Sequence, residues 1–285
     1  MAAATTAPNP IRRNSSFSPE RESFHKFFEC WLAEQNQHLH DLISASSPAR
    51  DGDDQALRPL IDRVMLHYEQ YYKAKSRSAK QNVLAMFSPT WRSSFEDAFL
   101  WIGGWRPSMA FHLLYSKSGL QLEAQLAELI RGLATSDLAD LSPSQLALID
   151  DRQRTTIHQE KAITEKFAKH QETVADASMV ELSHTITEMM RAGGGDAAVE
   201  NEAEMEEEVE SALAAKEEGL EEILQMADDL RLSTLKEILN ILTSMQAVHF
   251  LIAAAELHLR IHEWGKKKDE AQAQTHHLEA HATAQ

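Results

Sequence analysis

Cysteine is almost missing from this chain: Cys30 is the only one in 285 residues, so no internal disulfide can form and a reducing compartment, cytoplasm or nucleus, is expected. Its neighbours Phe27, Phe28 and Trp31 predict a buried, inert thiol. Glycine and proline are sparse, at 10 and 8 residues, and no alternating apolar run is long enough to build a sheet. Long apolar runs are also wanting. The richest, 247–259, is broken by His249, Glu256 and His258 and is too short to span a bilayer, and residues 1–10 hold no apolar stretch of a secretion signal, so no membrane association is expected. Positive charge is scarce: 28 basic against 44 acidic side chains give a net charge of −16, which disfavours direct, specific DNA binding by the chain alone. No nucleophile-elbow, phosphate-loop, zincin or kinase pattern occurs, and the pairs Asp150-Asp151 and Asp228-Asp229 point to different sides of a helix. No catalytic residue is nominated, and no enzyme is expected.

What the chain does have is helix formers at helical spacing. Apolar residues make up 43%, enough for a substantial core, and the expected class is all-α, a multi-helix bundle with long helices. Residues 1–17 mix small and polar types without period and are expected to be disordered. Ser18 and Pro19 read as N-cap and N1 of a helix in which Phe24, Phe28, Trp31, Leu39 and Leu42 recur. A second helix carries Leu57, Ile61, Val64, Tyr68 and Tyr72 and leads into a basic patch at 73–80. Ser88-Pro89 repeats the start signal before Trp91, Phe95 and Phe99; Gly103-Gly104 breaks that helix, Pro107 opens the next, and Gly119 ends it. Ser142-Pro143-Ser144-Gln145 is a capping box whose pattern runs towards Ile186, and Thr243-Ser244-Met245-Gln246 is a second one, launching a helix that Gly265 stops. Between them, Gly193-Gly194-Gly195 and the acidic run 200–210 predict a partly helical linker near 191–212; residues 270–285 are expected to be a disordered tail.

Four blocks, in order, resemble the plant Delay-of-germination (DOG) domain. They are Phe24-x-x-Phe27-Phe28-x-x-Trp31; Trp101-Ile102-Gly103-Gly104-Trp105-Arg106-Pro107-Ser108 continuing to Tyr115; Leu141-Ser142-Pro143-Ser144-Gln145-Leu146; and Ile241-Leu242-Thr243 through Gln246 to Trp264-Gly265. Together they outline a domain at 18–269. The same domain follows a bZIP region in TGA transcription factors, whereas no Lys/Arg-rich helix with a leucine heptad precedes Phe24, so the stand-alone, germination-type branch is expected. The resemblance implies a regulator of seed dormancy, maturation and abscisic-acid signalling that acts by protein–protein contact, in part with type 2C protein phosphatases; a homo-oligomer stays open. A transcription-regulating cofactor without its own bZIP is one alternative, and a haem or small-ligand sensor is another.

The most specific block is Trp101 to Ser108. Trp105 and Arg106 suit a partner hot spot. Alternatively, Trp101 and Trp105 fill a tight corner made by Gly103, Gly104 and Pro107, while Arg106 bonds helix-end carbonyls or a carboxylate. His258 and His262 lie four residues apart on one helical face, a spacing that reaches one metal ion or haem iron; two ordinary histidines are the competing reading. His276, His277 and His281 read as incidental. A partner surface is expected on the first and last helices, around Trp31, Gln246 and Trp264, with Glu34, Gln35 and His38 as exposed positions.

Overall fold

The computed structural model describes residues 19–46, 54–129, 141–192 and 198–283. Among them the structure is helical, without a β-strand: α1 (Pro19–Ala45), α2 (Asp54–Ala79), α3 (Val83–Phe87), α4 (Ser94–Ala98), α5 (Ser108–Leu129), α6 (Pro143–Glu172), a 3-10 turn (Thr173–Ala175), α7 (Ala177–Ala192), α8 (Ala198–Ile241) and α9 (Ser244–Thr283). Among the described residues no helix is long and apolar enough to cross a membrane. The segment 1–17 expected to be disordered lies outside the described residues.

The first turns of α9 carry no polar face. Ala247, Val248, Phe250, Leu251, Ile252, Ala253 and Ala255 are all buried, which needs neighbours on every side rather than one. Helices α1, α2 and α5 pack against α9, and α4 meets it further along, at His262 and Gly265. Helix α1 turns Phe24, Phe28, Trp31, Gln35, Leu39 and Leu42 inward and α2 turns Ile61, Val64, Tyr68, Tyr71 and Tyr72 inward, mostly at steps of three or four residues. Every fully buried apolar side chain of this size stabilises the fold by roughly 1.5–3 kcal/mol. Helix α8 packs extensively on α6 and also against α2. Cys30 falls on the outer face of α1 and is exposed, correcting the expected buried thiol: its position is off the inward stripe of Phe24, Phe28 and Trp31.

Three glycine and proline signals act differently from their sequence reading. Ser88-Pro89 starts no helix; the chain continues irregularly to Ser93, whose hydroxyl accepts from Glu96 N while Glu96 returns a bond to Ser93 N, and this capping box opens α4. Helix α5 runs straight through Gly119, where a side chain would meet nothing. Helix α9 likewise continues through Gly265 to Thr283, including part of the stretch read as a tail. Gly265 is buried against the α4 cap: an added Cβ would strike Ser93 Oγ and lie 2.6 Å from Ser93 Cβ. The residue is glycine for close approach, not for termination. The 143–186 pattern is not one helix, because the 3-10 turn divides α6 from α7. The acidic run lies in α8, a continuous helix of 44 residues, so helix extends through all of 200–210.

Both expected capping boxes at 142–145 and 243–246 form, and they interlock. Ser142 N donates to Gln145 Oε1 at 2.9 Å and Thr243 N to Gln246 Oε1 at 3.0 Å. Gln145 Nε2 then donates to Gln246 Oε1 at 2.7 Å and to the Ile241 carbonyl at 3.0 Å. The start of α6 is thereby fastened to the α8–α9 corner. Gln145→Ala and Gln246→Ala should each cost about 1–2 kcal/mol in urea unfolding, and the double variant less than their sum. Strict additivity would show that the two caps act independently.

Candidate functional site

The segment joining α4 to α5 turns sharply and brings its carbonyls inward. Ile102 and Gly103 have φ of 45° and 67°, and Trp101 and Gly104 exchange N–H···O bonds of 2.7 and 3.2 Å, the pattern of a type I′ turn. Positive φ suits Gly103. For β-branched Ile102 it is strained, by about 1–3 kcal/mol. Gly104 is needed for another reason, since a Cβ there would sit 2.7 Å from Arg231 Cζ.

Two buried cations hold this turn. Arg231, 0% exposed, donates to the carbonyls of Trp101, Ile102 and Trp105. Lys75, 2% exposed, donates to the Gly103 carbonyl at 2.8 Å and to Asp228 Oδ1 at 2.9 Å. Asp228 Oδ1 also accepts from Arg231 Nη1. One carboxylate thus faces two cations, and backbone dipoles supply the remaining negative field. Burial pushes the Lys75 ammonium down to about 7, against the pull of Asp228. The basic patch read at 73–80 therefore divides: Lys75 shares the inward face of Tyr71 and Tyr72, whereas Lys73, Arg77 and Lys80 are exposed.

The Trp-Arg-Pro part of the block ties α5 to its neighbours. Trp101 Nε1 donates to Thr164 Oγ1 at 3.0 Å, and its ring lies 5.3 Å from the Arg231 guanidinium. Trp105 Nε1 donates to the Tyr72 hydroxyl at 2.9 Å, and burial raises that phenol's pKa. Arg106 Nε donates to Glu160 Oε2 at 2.7 Å, and the Ser108 amide to Glu160 Oε1 at 2.5 Å. Pro107 is buried. The contacts expected of the corner reading, with Arg106 paired to a carboxylate, are present.

A second constellation lies between α1, α2 and α9. The Trp31 ring stacks on His67 at 4.6 Å and lies 5.5 Å from His258; Trp31 Nε1 donates to the His67 carbonyl. His262 Nδ1 lies 2.9 Å from Glu96 Oε2, and its ring is edge-on to Phe28 at 5.7 Å. The two histidines nominated together thus have separate partners. Among the described residues, no group of three or more His, Cys, Asp or Glu is placed to hold a metal ion. Burial holds His67 at about 4, helped by His38, and His258 at about 4, helped by Arg92. Burial works against the Glu96 carboxylate, but bonds from His262 and Ser93 overcome it and bring its pKa to about 2. Gln35 is fully buried, with Nε2 donating to the Tyr68 hydroxyl. That corrects its reading as an exposed position, since it continues the Phe28–Trp31 stripe. Glu34 is exposed and His38 half-buried, Gln246 is buried, and Trp264 is 61% exposed.

The family model for seed dormancy control, DOG1, matches residues 38–116, the stretch that contains Lys75 and the Trp101–Gly104 turn. Protein DOG1-like 3 of Arabidopsis thaliana is 32% identical over 264 residues, covering 90% of this chain and 88% of the relative. The chain belongs to the DOG1 family. DOG1-like 2 of the same plant is 31% identical, covering 90% of this chain and 94% of that protein. Transcription factor TGA2 is 30% identical over 231 residues, covering 81% of this chain and 60% of TGA2. The family match begins within α1 and ends within α5, so Asp228 and Arg231 reach its turn from a helix outside the matched stretch.

Sequence reasoning missed Lys75, Asp228, Arg231 and Glu160. A signal for the first three was available: each lies on an apolar helical stripe, Lys75 after Tyr71 and Tyr72, and Asp228 and Arg231 among Leu224, Ala227 and Leu235. Removing the shared anion should be severe. Asp228→Asn removes the one carboxylate shared by Lys75 and Arg231 and should lower unfolding free energy by about 3–5 kcal/mol in urea, whereas exposed neighbour Asp229→Asn should cost under about 0.5 kcal/mol. Equal losses would contradict the assignment. The histidine layer sets an acid limit. Both folded pKa values lie below the ordinary 6.5, so below that pH the unfolded chain takes up protons that the folded one refuses. Stability should therefore fall as pH drops from about 6.5 towards 4, and His67→Phe should flatten the fall in thermal melts; an unchanged profile would exclude His67 as its source.

Proposed function

We propose that this protein is a non-enzymatic regulator of seed dormancy and maturation that works by binding other proteins. One observation carries the reading. The region matching the DOG1-like proteins also matches TGA2, a transcription factor, over 231 residues while covering only 60% of TGA2. A fold common to relatives of these two kinds is suited to a task they share, and contact with partner proteins is such a task. The buried charged groups support it: Lys75, Asp228, Arg231, Arg106 and Glu160 are engaged in holding helices together.

The partner class we assign is the type 2C protein phosphatases of abscisic-acid signalling, met in the nucleus or cytoplasm. The similarity to TGA2 favours a second reading, a cofactor that regulates transcription through other proteins. Trp264 is the natural anchor, a large aromatic 61% exposed beside the buried α4–α9 junction. Immobilised full chain should capture recombinant type 2C phosphatase. Trp264→Ala should reduce capture by about 10-fold or more with unchanged melting temperature. Retention of transcription factors and no phosphatase from a maturing-seed extract would replace the first reading by the second.

A further inference from the structure

Beyond α6 the chain forms an arm that the core does not cover. Helix α7 leads away and α8 returns along it, the base fastened by Lys216 Nζ donating to Asp176 Oδ2 at 2.6 Å. The seam between the two helices follows heptad steps: Met179, Leu182, Ile186 and Met189 on α7, and Met205 and Val209 on α8. Each of these six is only half-buried, and no described side chain at 173–191 or 205–222 is buried. Met190, on the flank of the stripe, is 80% exposed. A pair of helices cannot close an apolar seam of this width, which calls for a further helix.

Charge beside the seam has one sign. Glu206, Glu207, Glu208 and Glu210 are exposed, and among the described residues no ion pair engages them. The cations of the arm are already used, Lys216 by Asp176 and Arg191 by Glu188. We propose that this arm is the docking face for a basic amphipathic helix of a partner protein, whose apolar stripe completes the methionine-lined seam while its Lys and Arg side chains meet the α8 carboxylates. The proposal rests on the reading of the chain as a partner-binding regulator and names the partner's chemistry. Methionine side chains are flexible and polarizable, and adapt to different apolar surfaces. A second copy of this chain would set carboxylate against carboxylate, so charge favours the basic partner.

The test uses the full chain and a labelled synthetic helix of roughly 20 residues, about 30 Å long, with Leu at heptad a and d and Lys elsewhere; a Leu/Glu peptide is the control. Anisotropy should show one-to-one binding of the Leu/Lys peptide, weakening with salt, and none of the control. Met189→Ser with Val209→Ser, which leaves every charge in place, should weaken binding by about 10-fold or more while the melting temperature of the core is kept. Glu206, Glu207, Glu208 and Glu210→Gln should do the same. Undiminished binding by the seam variant would overturn the proposal, since attraction to net charge alone would then account for it. A dimer of the free chain that the seam variant dissolves would overturn it in favour of a second copy. Should the peptide not bind while phosphatase capture persists, this inference fails and the proposed function stands.

Discussion

Two buried cations share one buried carboxylate, and the arrangement of the helices follows from that imbalance. Lys75 and Arg231 face Asp228 alone, so their remaining hydrogen-bonding capacity must be met by neutral acceptors. The Trp101–Gly104 turn presents its carbonyls to them, and this requires positive φ at Ile102 and Gly103 and a side chain no larger than glycine at Gly104. The turn places Arg106 and the start of α5 against Glu160 of α6. Helices α2, α5, α6 and α8, distant in sequence, are thus held by one connected polar network. Such a network is costly to disturb at any single member, because whatever remains is a buried charge without its partner.

The apolar part of the fold is built around the first half of α9, packed against α1, α2 and α5. Its partners are dense in aromatics, and the packing of Trp31 on His67 and of Phe28 on His262 keeps imidazoles where water does not reach easily. These rings share partners with the core, and protonating His67 works against folding. The molecule therefore combines a rigid centre with an arm whose seam is open and whose charge is unbalanced.

The helical class and both interlocking capping boxes were legible in the sequence, because apolar period and Ser/Thr-x-x-Gln spacing are local signals. Glycine was less legible. Gly103 marks a positive φ, but Gly104 is dictated by Arg231, 127 positions later, and Gly265 by Ser93 of a helix met only in three dimensions. The acidic run looked like a linker since its composition changes abruptly, yet Met205 and Val209 keep the helical period that α8 follows. The buried charges were hidden for a different reason. Their apolar stripes signalled burial, but not the pairing, since Asp228 lies 153 residues from Lys75.

Native-state hydrogen exchange on the free chain is the most direct measurement of whether the charge network fixes the turn as part of a rigid centre distinct from the arm. The amides of Trp101 and Gly104, bonded across the turn, should exchange only with global unfolding, at the rate of buried α9 residues such as Val248 and Phe250, whereas amides of α7 and the first half of α8 should exchange through cheaper local openings. Turn amides exchanging as fast as those of α7 would contradict the account.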